Sequence, residues 1–283
     1  MSRSIRACVI VCMAVTAFSA ASLLAQEPSP AEPLHRPFDQ ILDLNVRDGL
    51  VYYRALKSDR GRLDRYIASL NVPAATYEGW SREQQMAFWL NGYNALVLQA
   101  VIDHYPIRGR ASAYPAGSLR QVPGVFEQAK HRLAGRSVTL DEIEKSILPG
   151  FKEPRLYLAM GRGAVGSGRL RSEAYTGDRL AQQLDQLQGE FVNEQAMVKI
   201  DRDSRQVAVT PIVSWHEAEF VAAYDKGAAG PFAQRSPIER AIVAFIAPHL
   251  LPLERDFVNR NEFRLVFQNF DWRLNDLTGG RPQ

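Results

Sequence analysis

The sequence predicts an α+β fold: one compact domain over residues 38–283, with helices packed on a small mixed or antiparallel sheet. Three observations carry this. The capped, strongly apolar run over residues 81–105 is too long for a strand and needs a core around it. Short β-rich segments come in pairs joined by turn residues, over residues 131–140 and 197–210. Helical and strand-like segments follow one another without the steady alternation of a parallel βαβ protein. With 283 residues, 46% of them hydrophobic, the chain can bury a full core, and its composition excludes a disordered tail, a collagen-like repeat and a polytopic membrane protein.

In chain order, Arg3 and Arg6 precede an apolar run over residues 7–18 and small residues up to Ala25. This is the order of a secretory signal peptide, expected over residues 1–25 with cleavage after Ala21 or Ala25. The apolar stretch is shorter than the roughly 20 residues of a spanning helix, so no stable membrane insertion is expected once the leader is gone. The expected location is periplasmic or secreted. Both cysteines, Cys8 and Cys12, lie in the leader. The exported chain then has no disulfide, no thiol nucleophile and no thiolate metal site. Basic residues number 34 against 31 acidic, and two of the basic ones leave with the leader, so the remainder is near neutral. Nucleic acid is not an expected partner of such a chain.

Residues 26–37 carry Pro28, Pro30, Pro33 and Pro37 and read as an extended linker. Apolar positions over residues 38–70 recur at helical spacing, interrupted by a strand-like interval at Val51, Tyr52 and Tyr53. Ser81 caps the long apolar helix, which ends before Pro106. Residues 107–128, rich in Gly, Pro, Ser and Ala, read as an irregular connection. A hairpin turning at Gly135 follows, and Thr139 with Glu142 forms a capping box that opens a helix through Leu148. RLYLAM, residues 155–160, has the short apolar run of a buried strand and leads into a Gly-rich loop. A helix to about Asn193, a hairpin around residues 202–205, two more helices and a closing strand in FRLVFQNFDW complete the pattern.

The loop after RLYLAM contains Gly161, Gly163 and Gly166 at the spacing of a dinucleotide fingerprint, but the next helix begins only near Asp178, so a structural turn is the better reading. Ser167 in that loop lacks the flanking glycines of a nucleophile elbow. Its candidate bases are Lys145 and His216. The segment WHEAEF begins like a zinc-protease helix, yet the second histidine position is Phe220, and no metal is expected. His216 reads as half-buried at the surface, with Glu217 and Glu219 on a solvated face. Trp89, Asn91, Tyr93 and Asn94 place polar amides inside an apolar helix, where they must be hydrogen-bonded, bracketing a loop or lining a cleft.

AFWLNGYNALVLQAVI, around this cluster, resembles the AFW-I-N-x-Y-N-A helix of the domain of unknown function 547 family, and the resemblance runs on through LDEIEKSIL, PRLYLAM and FDWRLND. The resemblance implies no established activity. Members commonly carry a C-x-x-x-S-C-P loop after the strand, a histidine within it, and a histidine after the I-E pair of the preceding helix, a set suited to thiol nucleophilic chemistry. This chain departs at each place: Arg162 and Ser167 stand at the loop cysteines, Tyr157 at the strand histidine and Lys145 at the helix histidine. Asn91, Tyr93, Asn94, Glu144, Arg155 and Leu170 match.

The expectation is a non-catalytic domain that binds an unknown small molecule or peptide, without cofactor, through Asn91, Tyr93, Asn94, Glu144, Arg155, Tyr157 and Arg162. The alternative is a hydrolase or acyl-transfer enzyme with Ser167 as nucleophile and Lys145 as a desolvated base. A structural module of the cell envelope is a third possibility.

Overall fold

The computed structural model describes residues 31–227 and 230–279. The leader expected over residues 1–25, with Cys8 and Cys12, lies outside the described residues. Helix α1 (Ala31–Asn45) opens the described fold. The extended linker expected up to Pro37 is therefore corrected from Ala31 onward. Pro33 falls in the first helical turn, where its missing N–H has no partner to lose, and Pro37 is accommodated within the helix. Packing outweighs the propensity cost: the Phe38 ring stacks on Tyr66 at 4.8 Å, and the buried His35 Nδ1 lies 2.8 Å from the Tyr66 hydroxyl.

A tight antiparallel pair, β1 (Val46–Arg47) and β2 (Leu50–Val51), leads into α2 (Tyr53–Ser58), α3 (Gly61–Ser69) and α4 (Ala74–Glu78). Tyr53 thus begins a helix; only Val51 of the expected strand-like interval is in a strand. Helix α5 (Arg82–His104) follows, capped by Ser81, whose hydroxyl accepts from the Gln84 N–H while the Gln84 side chain accepts from the Ser81 N–H. It is buried all round, so it forms the axis of the core. Helices α1, α2 and α3 pack on it.

The hairpin β3 (His131–Leu133) and β4 (Arg136–Val138) turns at Gly135 as expected. The capping box of Thr139 and Glu142 opens α6 (Leu140–Glu142), but the helix does not continue regularly: a π-turn over Ile143–Ile147 and a 3₁₀ turn over Leu148–Phe151 follow. RLYLAM is not a strand. Glu153 caps a 3₁₀ turn over Pro154–Tyr157, and proline at its first position favours that conformation. A short buried apolar run carries the same signature in either case.

Helix α7 (Leu180–Asn193), strands β5 (Val198–Asp201) and β6 (Gln206–Val209), and helices α8 (Ile212–Trp215), α9 (Glu217–Tyr224), α10 (Pro237–Ile246) and α11 (Pro252–Asn259) precede the last strand, β7 (Arg264–Phe267). β5 and β6 are antiparallel, and β7 joins β6 in parallel, giving a mixed three-stranded sheet beside the two hairpins. The α+β class holds, with the strands divided among small sheets. The C-terminal segment then returns to the start of the fold. The Val51 N–H donates to the Asn275 carbonyl at 2.8 Å, Tyr53 Oη donates to Asn275 Oδ1 at 2.6 Å, and Tyr105 Oη donates to Asp276 Oδ2 at 2.8 Å. Among the described residues, no helix is long and apolar enough to cross a membrane.

Candidate functional site

The two asparagines of α5 are backbone clamps. Asn91 Nδ2 donates to the Tyr175 carbonyl at 2.8 Å and its Oδ1 accepts from the Tyr175 N–H at 2.9 Å. Asn94 Nδ2 donates to the Ala159 carbonyl at 3.1 Å and its Oδ1 accepts from the Gly161 N–H at 2.8 Å. Spaced i, i+3, both amides leave the same helix face and fix the two ends of the segment over residues 159–175. Of the two alternatives left open by the sequence, the structure supports bracketing. Each amide gives one N–H and one oxygen lone pair to backbone. Tyr93 between them is fully buried, and its hydroxyl has no hydrogen-bond partner among the described residues.

The Gly-rich loop held by Asn94 is closed internally by the Arg162 N–H, which donates to Ser167 Oγ at 2.9 Å. Gly168 is required by close approach, since a Cβ there would overlap the Leu158 carbonyl. Outside, the Val165 and Gly166 N–H groups donate to the Arg273 and Asp271 carbonyls, both at 2.8 Å, which brings Trp272 alongside. The loop contributes to two cavities. Ser167 lines one of about 410 Å³, with Leu187, Phe191 and Met197. Arg162 lines the other, of about 430 Å³.

At the floor of this second cleft, Arg162 Nη2 donates to Glu144 Oε1 at 2.5 Å, and His216 Nε2 lies 3.0 Å from the same oxygen. Arg162 Nη1 also donates to the Tyr157 carbonyl at 3.2 Å. The His216 ring stacks on Tyr157 at 3.5 Å with the planes 5° apart, and Tyr157 Oη donates to Glu219 Oε1 at 3.4 Å. The π-turn carries Glu144, and the break between α8 and α9 carries His216. Trp215, Trp272, Arg120 and Lys145 form the walls.

Residues 77–192 match the family described as Protein of unknown function, DUF547. They belong to the DUF547 family. No curated protein and no solved structure matches the chain. The DUF547 segment holds the clamps, the π-turn and the Gly-rich loop. It does not reach the closing FDWRLND. Four of the ten residues that line the cleft, Trp215, His216, Glu219 and Trp272, therefore follow the DUF547 segment.

Burial alone would raise the Glu144 carboxyl above the usual range. The Arg162 charge and the hydrogen bonds from His216 and Arg162 outweigh it and hold the group down at about 2. Both contacts fall on Oε1, which leaves Oε2 without a protein donor among the described residues.

Four of the DUF547 positions singled out by sequence converge here: Glu144, Lys145, Tyr157 and Arg162. Arg155 does not; it pairs with Glu153 at 2.8 Å and with Asp185. Ser167 and Lys145 are also separated in role. Lys145 pairs with Asp141 at 2.5 Å and its side chain is 65% exposed, so it lacks the desolvation a lysine base needs. The Ser167 hydroxyl is engaged by backbone. His216 is buried, not half-buried at the surface, and its partner Glu144 is 72 residues away, a distance no local spacing reveals.

Proposed function

We propose that the chain is an exported, non-catalytic binding protein that takes a small molecule or short peptide in the cleft above Glu144, Arg162 and His216. The observation that carries this reading is the closed ion cluster beneath an open cavity. Arg162 neutralises the buried carboxylate, and neither Ser167 nor Lys145 has the partner that activation requires. A volume of about 430 Å³ with aromatic and charged walls suits a small ligand. Export is supported by the charged, apolar and small-residue order of residues 1–25.

A thermal-shift screen of metabolites and short peptides tests the binding reading, with hits expected to vanish in Trp215→Ala. Hydrolysis of ester or amide substrates that is abolished by Ser167→Ala would overturn it. Intact-mass measurement of the exported protein is expected to show the loss of residues 1–21 or 1–25.

A further inference from the structure

We infer that the ligand of this cleft is a neutral saccharide, recognised by stacking on Trp215 and by hydroxyl hydrogen bonds to the cleft carboxylates. The inference rests on the binding reading above and names its ligand class.

Trp215 is 44% exposed at the cleft wall, an unusual setting for so large an apolar surface. It is held rather than loose. Its ring lies 6.1 Å from that of Trp272 with the planes 18° apart, and Phe270 contacts both at 4.9 and 4.4 Å. Tyr114 meets Trp272 edge-on at 5.7 Å. A pyranose presents a flat face of C–H groups that covers such a ring, and its rim of hydroxyls both donates and accepts.

The charges decide against an ionic ligand. Every cation lining the cleft already has a carboxylate: Arg162 has Glu144, Lys145 has Asp141, and Arg120 has Glu127. An anion at the floor must displace Glu144 from Arg162, and that buried pair is costly to break. A quaternary ammonium would meet like charge at either ring, since the Arg120 guanidinium lies 5.0 Å from the Trp272 centroid and that of Arg162 lies 5.8 Å from Trp215. Neutral hydroxyls disturb none of this. They can donate to Glu144 Oε2 at the floor and to Glu219, whose carboxylate among the described residues has only the long Tyr157 contact at 3.4 Å, and accept from the remaining Lys145 N–H groups.

The test titrates the purified chain with glucose, galactose, N-acetylglucosamine and their β-1,4- and α-1,4-linked oligomers. Glucuronate, glucose 6-phosphate and choline serve as charged comparators. Tryptophan emission and saturation-transfer NMR are the readouts. The expected result is saturable binding of at least one neutral saccharide, with the strongest saturation on the C–H groups of one sugar face. Trp215→Ala is expected to weaken that binding about tenfold or more, from the lost apolar contact. Glu219→Gln is expected to weaken it less. If Trp215→Ala unfolds, Trp215→Phe with an unchanged melting temperature and the same NMR epitope decides. Tighter binding of a charged comparator, or no neutral saccharide binding up to millimolar concentration, overturns the inference. Should peptides or other metabolites bind through Trp215 while saccharides do not, only the saccharide assignment falls. A cleft that binds nothing sinks the binding reading as well.

Discussion

Glu144 and Arg162 share one buried oxygen contact, and each depends on the other to remain buried. Replacing Glu144 with Gln leaves the guanidinium without its counter-charge, and the expected loss of stability is about 3–5 kcal/mol by urea unfolding. Removing both charges, as in Glu144→Met with Arg162→Met, is expected to cost less than the sum of the single variants. The sign of the pH effect follows from the carboxyl being held at about 2 against an ordinary 4.5. Its stabilisation is present above pH 4.5 and is lost as the pH falls toward 2. For the clamps, Asn94→Ala leaves a buried Gly161 N–H and Ala159 carbonyl without partners, at an expected cost of about 2–4 kcal/mol in the same assay. The clamps were legible in the sequence because an amide inside an apolar helix has to find hydrogen bonds. His216 was not legible, because its meaning comes from a carboxylate brought to it by the fold and from the Tyr157 ring beneath it.

Among elements, those whose signals are local read correctly. Ser81 with Gln84, Thr139 with Glu142, and the turn at Gly135 each carry their structure within a few residues. The segment over residues 155–160 misread because its apolar run states burial and leaves conformation open, while the preceding Pro154 tips it into a 3₁₀ turn. The linker misread because proline density outweighed the apolar side chains that dock α1. Ser81→Ala is expected to lower stability by about 1 kcal/mol through the lost cap. Gly168→Ala is expected to cost more than that, since the clash is with backbone and the Gly-rich loop must move away from Leu158. Thermal melts of the two variants order them.

Across the whole molecule, α1 is fastened near its start by a histidine that burial keeps neutral. His35, 1% exposed, is pushed from 6.5 down to about 4 by loss of solvent, while the same group in the unfolded chain titrates normally. Below pH 6.5 the unfolded state takes up a proton that the folded state refuses, so stability falls as the pH drops toward 4, by about 3 kcal/mol in all. His35→Gln is expected to flatten this decline in denaturation curves between pH 7 and 4.5, a window above that of Glu144.

The seam between Asn275, Asp276 and the tyrosines at positions 53 and 105 sets an order of events. The Tyr53 and Tyr105 hydroxyls find their partners 222 and 171 residues further along the chain. Closing loops of that length costs more chain entropy than forming the local caps and turns, so the seam is expected to form after them in folding.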